Sequence, residues 1–312
     1  MDKHGSGSKT RTWFTAAVLA ALMAGCGSGN EIFGTAGGGV GGSPGPAGAA
    51  PALGAAAAFG GFGGNAGMTN QGTLTVITGA QGQPVSIGTT GASTLMTGFH
   101  DTSVAYTPPP APTGCSYTET TLNIGRVDGT INTDAPPPNA PFCPAEGTAA
   151  TFAAAQAAAA AALAAFNDLA GRPGAADPGA NLGGLTLAPG VYATASGGFL
   201  LTGSDLTLDA QGNANAVWVF QMANTLTVGA AGAPRSVILA GGAQPKNVFW
   251  QVGSAATING AGGGTMVGTI ISSAATTFST AGNVTITTLN GRALALNASV
   301  TMVNTVINVP AP

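Results

Sequence analysis

One short pattern returns along the second half of the chain. Leu206-Thr207-Leu208, Leu226-Thr227-Val228, Ala256-Thr257-Ile258, Thr276-Thr277-Phe278 and Val300-Thr301-Met302 each centre a threonine between mostly apolar neighbours. The central threonines are spaced by 20, 30, 20 and 24 residues. The longest step holds Ala230 to Ala243, read as an insertion or irregular coil. A near-fixed period of this length points to stacked, repeated coils. Successive side chains of a strand point to opposite faces, so apolar flanks turned inward send each threonine outward. Rungs of a β-coil stack about 4.7–4.9 Å apart, which would align the five threonines in a ladder. Two residues earlier in each repeat stand Asp205, Thr225, Ala255, Ala275 and Ser299, a second outward row about 6.6 Å from the first. From Asn181 onward, 132 residues carry only Asp205, Asp209, Arg235, Lys246 and Arg292 as charges. An ordinary charged surface cannot be made from five groups, so the exposed coil is Thr, Ser, Asn, Gly and Ala. Threonine ladders are also common on solenoid faces simply because threonine favours strands.

Composition removes several function classes. The 312 residues include 8 basic and 11 acidic side chains, which leaves no electrostatic footprint for nucleic acid. Two histidines and three cysteines are too few for a multi-ligand zinc or haem site. Low charge with abundant apolar residues is also not the signature of solvated disorder. No metal, cofactor or small-molecule substrate is expected. His100-Asp101 stands beside no G-x-S-x-G elbow and reads as a turn histidine after Gly98-Phe99. A lyase would need more clustered acids and bases than the coil region holds. Asp205 and Asp209, four apart on one strand face, would give at most weak calcium binding. Gly37 to Gly42 fits G-x-G-x-x-G formally, but no strand precedes it and no helix follows, so it is composition only.

Residues 1–25 read as a targeting signal: Lys3, Lys9 and Arg11, then an apolar run too short to span a bilayer. Leu22-Met23-Ala24-Gly25-Cys26 resembles the lipobox of bacterial lipoproteins, with Cys26 as the acylated residue; the alternative is an ordinary secretory signal with a chance cysteine. Either way the protein is exported, to the cell envelope on a lipid anchor or into the medium. If Cys26 carries lipid, Cys115 and Cys143 remain as one pair, expected to form a disulfide in an oxidising compartment rather than two free buried thiols. Residues 26–67 are Gly, Ala and Pro and read as a tether. The domain is expected over 68–312: β-like runs first, a Pro-rich insert at 107–147, an Ala-rich helix at 148–170, and the main coils at 181–309. Thr148 or Thr151 can begin the helix and Gly171 can end it. Phe152, Gln156, Leu163 and Phe166 fall near one helical face, the expected packing face.

Four stretches then resemble the ice-binding-like β-solenoid family, in that family's order. They are Asn181-Leu182-Gly183-Gly184-Leu185-Thr186-Leu187-Ala188-Pro189-Gly190-Val191-Tyr192; Leu206 to Gly212 with Ala216 to Gln221; Asn247 to Gly253; and Asn290-Gly291-Arg292-Ala293-Leu294-Ala295. The resemblance implies a mainly β fold: a right-handed β-solenoid of triangular section with one long α-helix packed alongside. It implies adsorption to ice crystals through a flat face, with inhibition of recrystallisation or attachment of the cell to ice. The residue-based candidates for that face are Thr207, Thr225, Thr227, Thr257, Thr277, Ser299 and Thr301. The family's T-A/G-x-T/N pattern adds Thr280 and Asn283, through Thr280-Ala281-Gly282-Asn283. The alternative from a different class is a surface adhesin or structural solenoid without ice activity.

Overall fold

The computed structural model describes residues 44–102, 116–117, 119–136, 147–230, 232–280 and 282–311. Strands of two to nine residues follow one another around three mostly parallel sheets. Gly190–Ala193 lies in a 13-stranded sheet, Phe199–Leu201 in a seven-stranded sheet and Leu206–Asp209 in a three-stranded sheet. The chain then returns to the first with Trp218–Met222, the second with Leu226–Val228 and the third with Val237–Ala240. Register is unbroken across these rungs: Gly190 pairs with Trp218, Phe220 with Trp250, Gln221 with Gln251. Val219-Phe220-Gln221 thus stacks residue for residue on Phe249-Trp250-Gln251. Parallel strands close together only through such long returns.

Stacking order is not chain order. Thr305–Val309 pairs with Thr75–Gly79, and Met68–Asn70 sits between Val300–Met302 and Met96–Thr97. The first strands of the chain therefore continue the stack beyond the last ones. Part of the Pro-rich insert belongs to the sheet as well: Gly125–Val127 pairs with Thr75–Gly79, and Ile131–Asp134 with Ser86–Ala92.

Two cores result. Inside the coils, Tyr192, Phe220 and Trp250 stack in three successive rungs, with Phe220 and Trp250 ring centroids 4.0 Å apart and 8° from parallel. The Trp250 indole N–H donates to the Val267 carbonyl at 2.8 Å, satisfying its one polar atom. Outside the same sheet, Val191, Val219, Phe249, Ile271 and Leu294 are buried again, under the helix. A strand buried on both faces loses its alternation, which explains the continuous run Val217-Trp218-Val219-Phe220.

The helix spans Ala149–Ala170 and starts on Thr148, whose hydroxyl accepts from the Thr151 N–H while the Thr151 hydroxyl accepts from the Thr148 N–H. Its buried stripe is Ala155, Ala158, Ala162, Ala165 and Leu169. The expected packing face is thus corrected: Leu163 is 49% exposed, Gln156 is exposed, and Phe152 and Phe166 sit at the margins. Methyl groups let the helix backbone lie close to the sheet, where larger side chains would hold it off. Its last turn is finished from the sheet: the Gln221 amide donates to the carbonyls of Leu169 and Arg172 at 2.7 and 2.8 Å.

The tether assignment is corrected for residues 44–67, which fold into the domain. Phe59–Gly63 is a strand between Thr287–Ala295 and Ser86–Ala92, and Phe59 and Phe62 are 3% and 1% exposed in the helix core. The small residues there answer to tight packing: a β-carbon on Gly63 would stand 1.8 Å from the Gly67 carbonyl oxygen. A chain starting at residue 68 should melt about 15 °C below one starting at 44, since removing two buried phenylalanines alone costs roughly 6 kcal/mol. Equal midpoints by circular dichroism would show that the strand contributes nothing to stability.

Candidate functional site

The seven-stranded sheet stacks Leu200, Thr227, Thr257, Thr277, Thr301, Thr69 and Thr97 in a single register. Six of these seven are threonine. Each flanking residue from Leu226 to Met302 in these triplets is buried, whereas the central threonines are exposed or half-exposed. Backbone alternation alone places the row outward.

Thr207 does not belong to this row. It pairs with Thr186 and Ile238 in the three-stranded sheet, and the rung stacked on Thr227 is Leu200. The sequence repeats apolar-Thr-apolar on two walls of one coil, so a spacing of 20 residues at this point joins two walls rather than two rungs. Thr69 and Thr97 precede Asn181 and lie outside the repeat seen along the second half of the sequence. Met68-Thr69-Asn70 and Met96-Thr97-Gly98 carry a related triplet, but nothing in chain order says that they stack on Val300–Met302.

The second row holds for Thr225, Ala255, Ala275 and Ser299. Their carbonyls accept from the amides of Phe199, Leu226, Ala256 and Thr276 at 3.0, 3.2, 2.9 and 3.1 Å. The Gly67 carbonyl continues the series, accepting from Val300 at 3.2 Å. Asp205 is excluded with Thr207; its carboxylate accepts from the Ser236 amide on the other wall. The two rows thus form a sheet surface of hydroxyls, methyls and glycine without charge or ring. The other walls differ. The helix covers the outer column Val191 to Leu294, and the three-stranded sheet carries Asp205 and Asp209. The uncovered end of the 13-stranded sheet carries Arg126 opposite Val76.

Thr280 and Asn283 lie beside the ladder, in the connection from Thr276–Phe278 to Thr287–Ala295. The Thr280 hydroxyl donates to the Gly260 carbonyl at 2.6 Å, and the Asn283 side chain accepts from the Thr285 amide at 3.1 Å. Both therefore shape the corner of the coil.

Asp205 and Asp209 accept backbone amides of Ser236 and Gln211, and no cluster of three metal-ligating side chains occurs among the described residues. His100 is buried in the strand Phe99–His100 and bonds Glu119 at 2.8 Å, while Asp101 accepts the Ile131 amide. The turn assignment for His100 is corrected: it sits on a rung paired with Arg126. Cys26, Cys115 and Cys143 lie outside the described residues.

Resolved pKa shifts fall elsewhere. Burial pushes Tyr192 up to about 12, so its contribution to stability is complete below the ordinary value of 10 and lost as pH rises through 12. Burial brings Arg292 down to about 10; that penalty on the fold is complete below 10 and eases toward 12.5. Backbone amides of Gly179 and Ala195 hold the Asp177 carboxyl below its ordinary value.

Residues 62–308 match the family model described as Ice-binding-like. An ice-binding protein of Nostoc sp. (strain HG1) is 45% identical over 125 residues, covering 40% of this chain and 42% of the relative. One from Flavobacterium frigoris (strain PS1) is 36% identical over 145 residues, covering 46% and 48%. The chain thus spans less than half the length of these two relatives. Among solved structures, an ice binding protein from an Antarctic biological consortium is similar with a TM-score of 0.58 at 28% identity, covering 83% of this chain and 91% of that one.

Proposed function

The chain belongs to the ice-binding-like family, and on that premise we propose that it adsorbs to ice through the seven-stranded sheet, one wall of a right-handed solenoid of triangular section. The observation that carries this is six threonines in register on an uncharged, uncovered wall. Ice offers no single strong handle, so recognition has to sum many weak contacts held on a stiff surface. Each threonine supplies a methyl that orders water and a hydroxyl that joins the lattice. A charge would impose its own hydration, and this wall has none. Backbone hydrogen bonds fix the rung spacing at about 4.7–4.9 Å, so the surface need not rearrange to bind. In the same reading the protein is exported and Cys26 carries the lipid that ties it to the envelope. Cys115 and Cys143 pair, and adsorption slows recrystallisation or holds the cell to ice.

The test is a frozen sucrose film held just below melting. Residues 44–312 at micromolar concentration or below should stop ice grains from coarsening. Grains that grow as in buffer would remove the ice reading and leave a surface adhesin or scaffold. Because no ionisable group stands in either row, inhibition should be unchanged from about pH 5 to 9. A titrating activity in that window would place the binding surface elsewhere.

A further inference from the structure

Two side chains break the composition of the threonine wall, one near each end. Leu200 holds the first rung of the threonine row, in register with Thr227, and is 43% exposed. Beyond it the regular sheet stops. The Leu200 amide donates to the Ala180 carbonyl and its carbonyl accepts from the Leu182 amide, around an isolated bridge to Asn181. Leu95 stands at the opposite end, in the second row two residues before Thr97, and is 39% exposed. It leans onto glycines: a β-carbon on Gly67 would lie 2.6 Å from the Leu95 β-carbon, and one on Gly91 would lie 2.5 Å from a Leu95 δ-carbon. Neither leucine belongs to either hydrophobic core. Every other position in the two rows, from Gly198 and Thr225 to Gly67 and Thr97, is Thr, Ser, Ala or Gly.

We propose that Leu200 and Leu95 set the extent of ice contact, confining it to the five rungs from Thr227 to Thr69. The proposal rests on the reading of this wall as the adsorbing surface, and it names the residues that bound that surface. A threonine side chain ends at its γ atoms, whereas leucine carries two further methyls at δ. A rigid crystal plane lying on the threonines therefore meets each leucine first and is held off the rung beside it. A gap of about 0.5–1 Å already forfeits a quarter to a half of a dispersion contact. Parallel pairing keeps the wall stiff, so it does not bend around the obstruction. The unobstructed field is four rung spacings long, about 19 Å. Thr97 falls outside it although it is a threonine, because Leu95 stands beside it. Weak contacts add along the field, so trimming either leucine extends the field by one rung.

Arrest of ice grains by the full chain tests this, with melting midpoints by circular dichroism as the check on folding. Leu200→Thr and Leu95→Ala should each lower the arresting concentration about threefold, and the two together about tenfold, since the sites are far apart. Leu200→Tyr should raise it by no more than about twofold, because that position already lies outside the contact. Thr257→Tyr, in the middle of the field, should weaken arrest far more. Unchanged or weaker arrest in a folded Leu200→Thr would overturn the boundary. So would a loss in Leu200→Tyr as large as that in Thr257→Tyr, which would make the leucine itself an ice contact. Parental arrest in Thr257→Tyr would instead remove the wall as the adsorbing surface, and the boundary with it. Should Leu95→Ala melt early, the two Leu200 variants decide.

Discussion

Thr257→Tyr should raise the protein concentration needed to arrest ice grains by at least about tenfold, while the melting midpoint stays within a degree or two. Thr257 is an exposed rung inside the row, with Thr227 on one side and Thr277 on the other. A phenol ring there stands above the plane of the methyls and lifts neighbouring rungs from the lattice. The backbone pairing beneath is untouched, since the side chain points away from the core. Thr207→Tyr is the matched control. It sits on the three-stranded sheet, so the same ring should leave grain arrest unchanged. If Thr207→Tyr abolishes activity and Thr257→Tyr does not, the wrong wall has been chosen. Thr69→Tyr should behave like Thr257→Tyr, because the rung paired with Thr301 comes from the opposite end of the sequence.

Trp250→Ala should destabilise the fold by about 3–5 kcal/mol, lowering the thermal midpoint by roughly 10 °C or more. The indole is fully buried and stacks on Phe220 at 4.0 Å. Deleting it opens a void in a column that continues to Tyr192, 5.5 Å beyond Phe220. Trp250→Phe retains a ring in the stack but leaves the Val267 carbonyl without its donor, and should cost about 1–3 kcal/mol. Urea unfolding with matched m-values separates these from changes in the unfolded chain. An alanine variant as stable as the parent would mean that the stack is not what holds successive coils together.

Much of this architecture could be read from the residues. The resembling stretches Ala216 to Gln221 and Asn247 to Gly253 hold paired strands, the Ala-rich segment is a capped helix, and four of the five threonines form one row. The errors have physical causes. Thr207 was misplaced because adjacent walls of one coil use the same alternation, and period alone does not number walls. Phe59 and Phe62 were lost in a stretch whose small residues resemble a linker, although there they permit close approach of strands. The helix buries its alanine stripe rather than its bulkier side chains because methyl groups allow a closer approach to the sheet. Arg292 was noted only as a sparse charge; its burial depends on the Ala57 carbonyl, 235 residues away along the chain.

The interleaved ends of the stack also govern when the protein can be finished. Met68–Asn70 has one neighbour in Met96–Thr97 and the other in Val300–Met302, so a growing polypeptide carries this rung with one edge unpaired until the later strand is made. Loop closure over that distance favours slow maturation. A wall assembled from segments so far apart in sequence is whole only once both have been made, and a product truncated between them would display a shortened ladder.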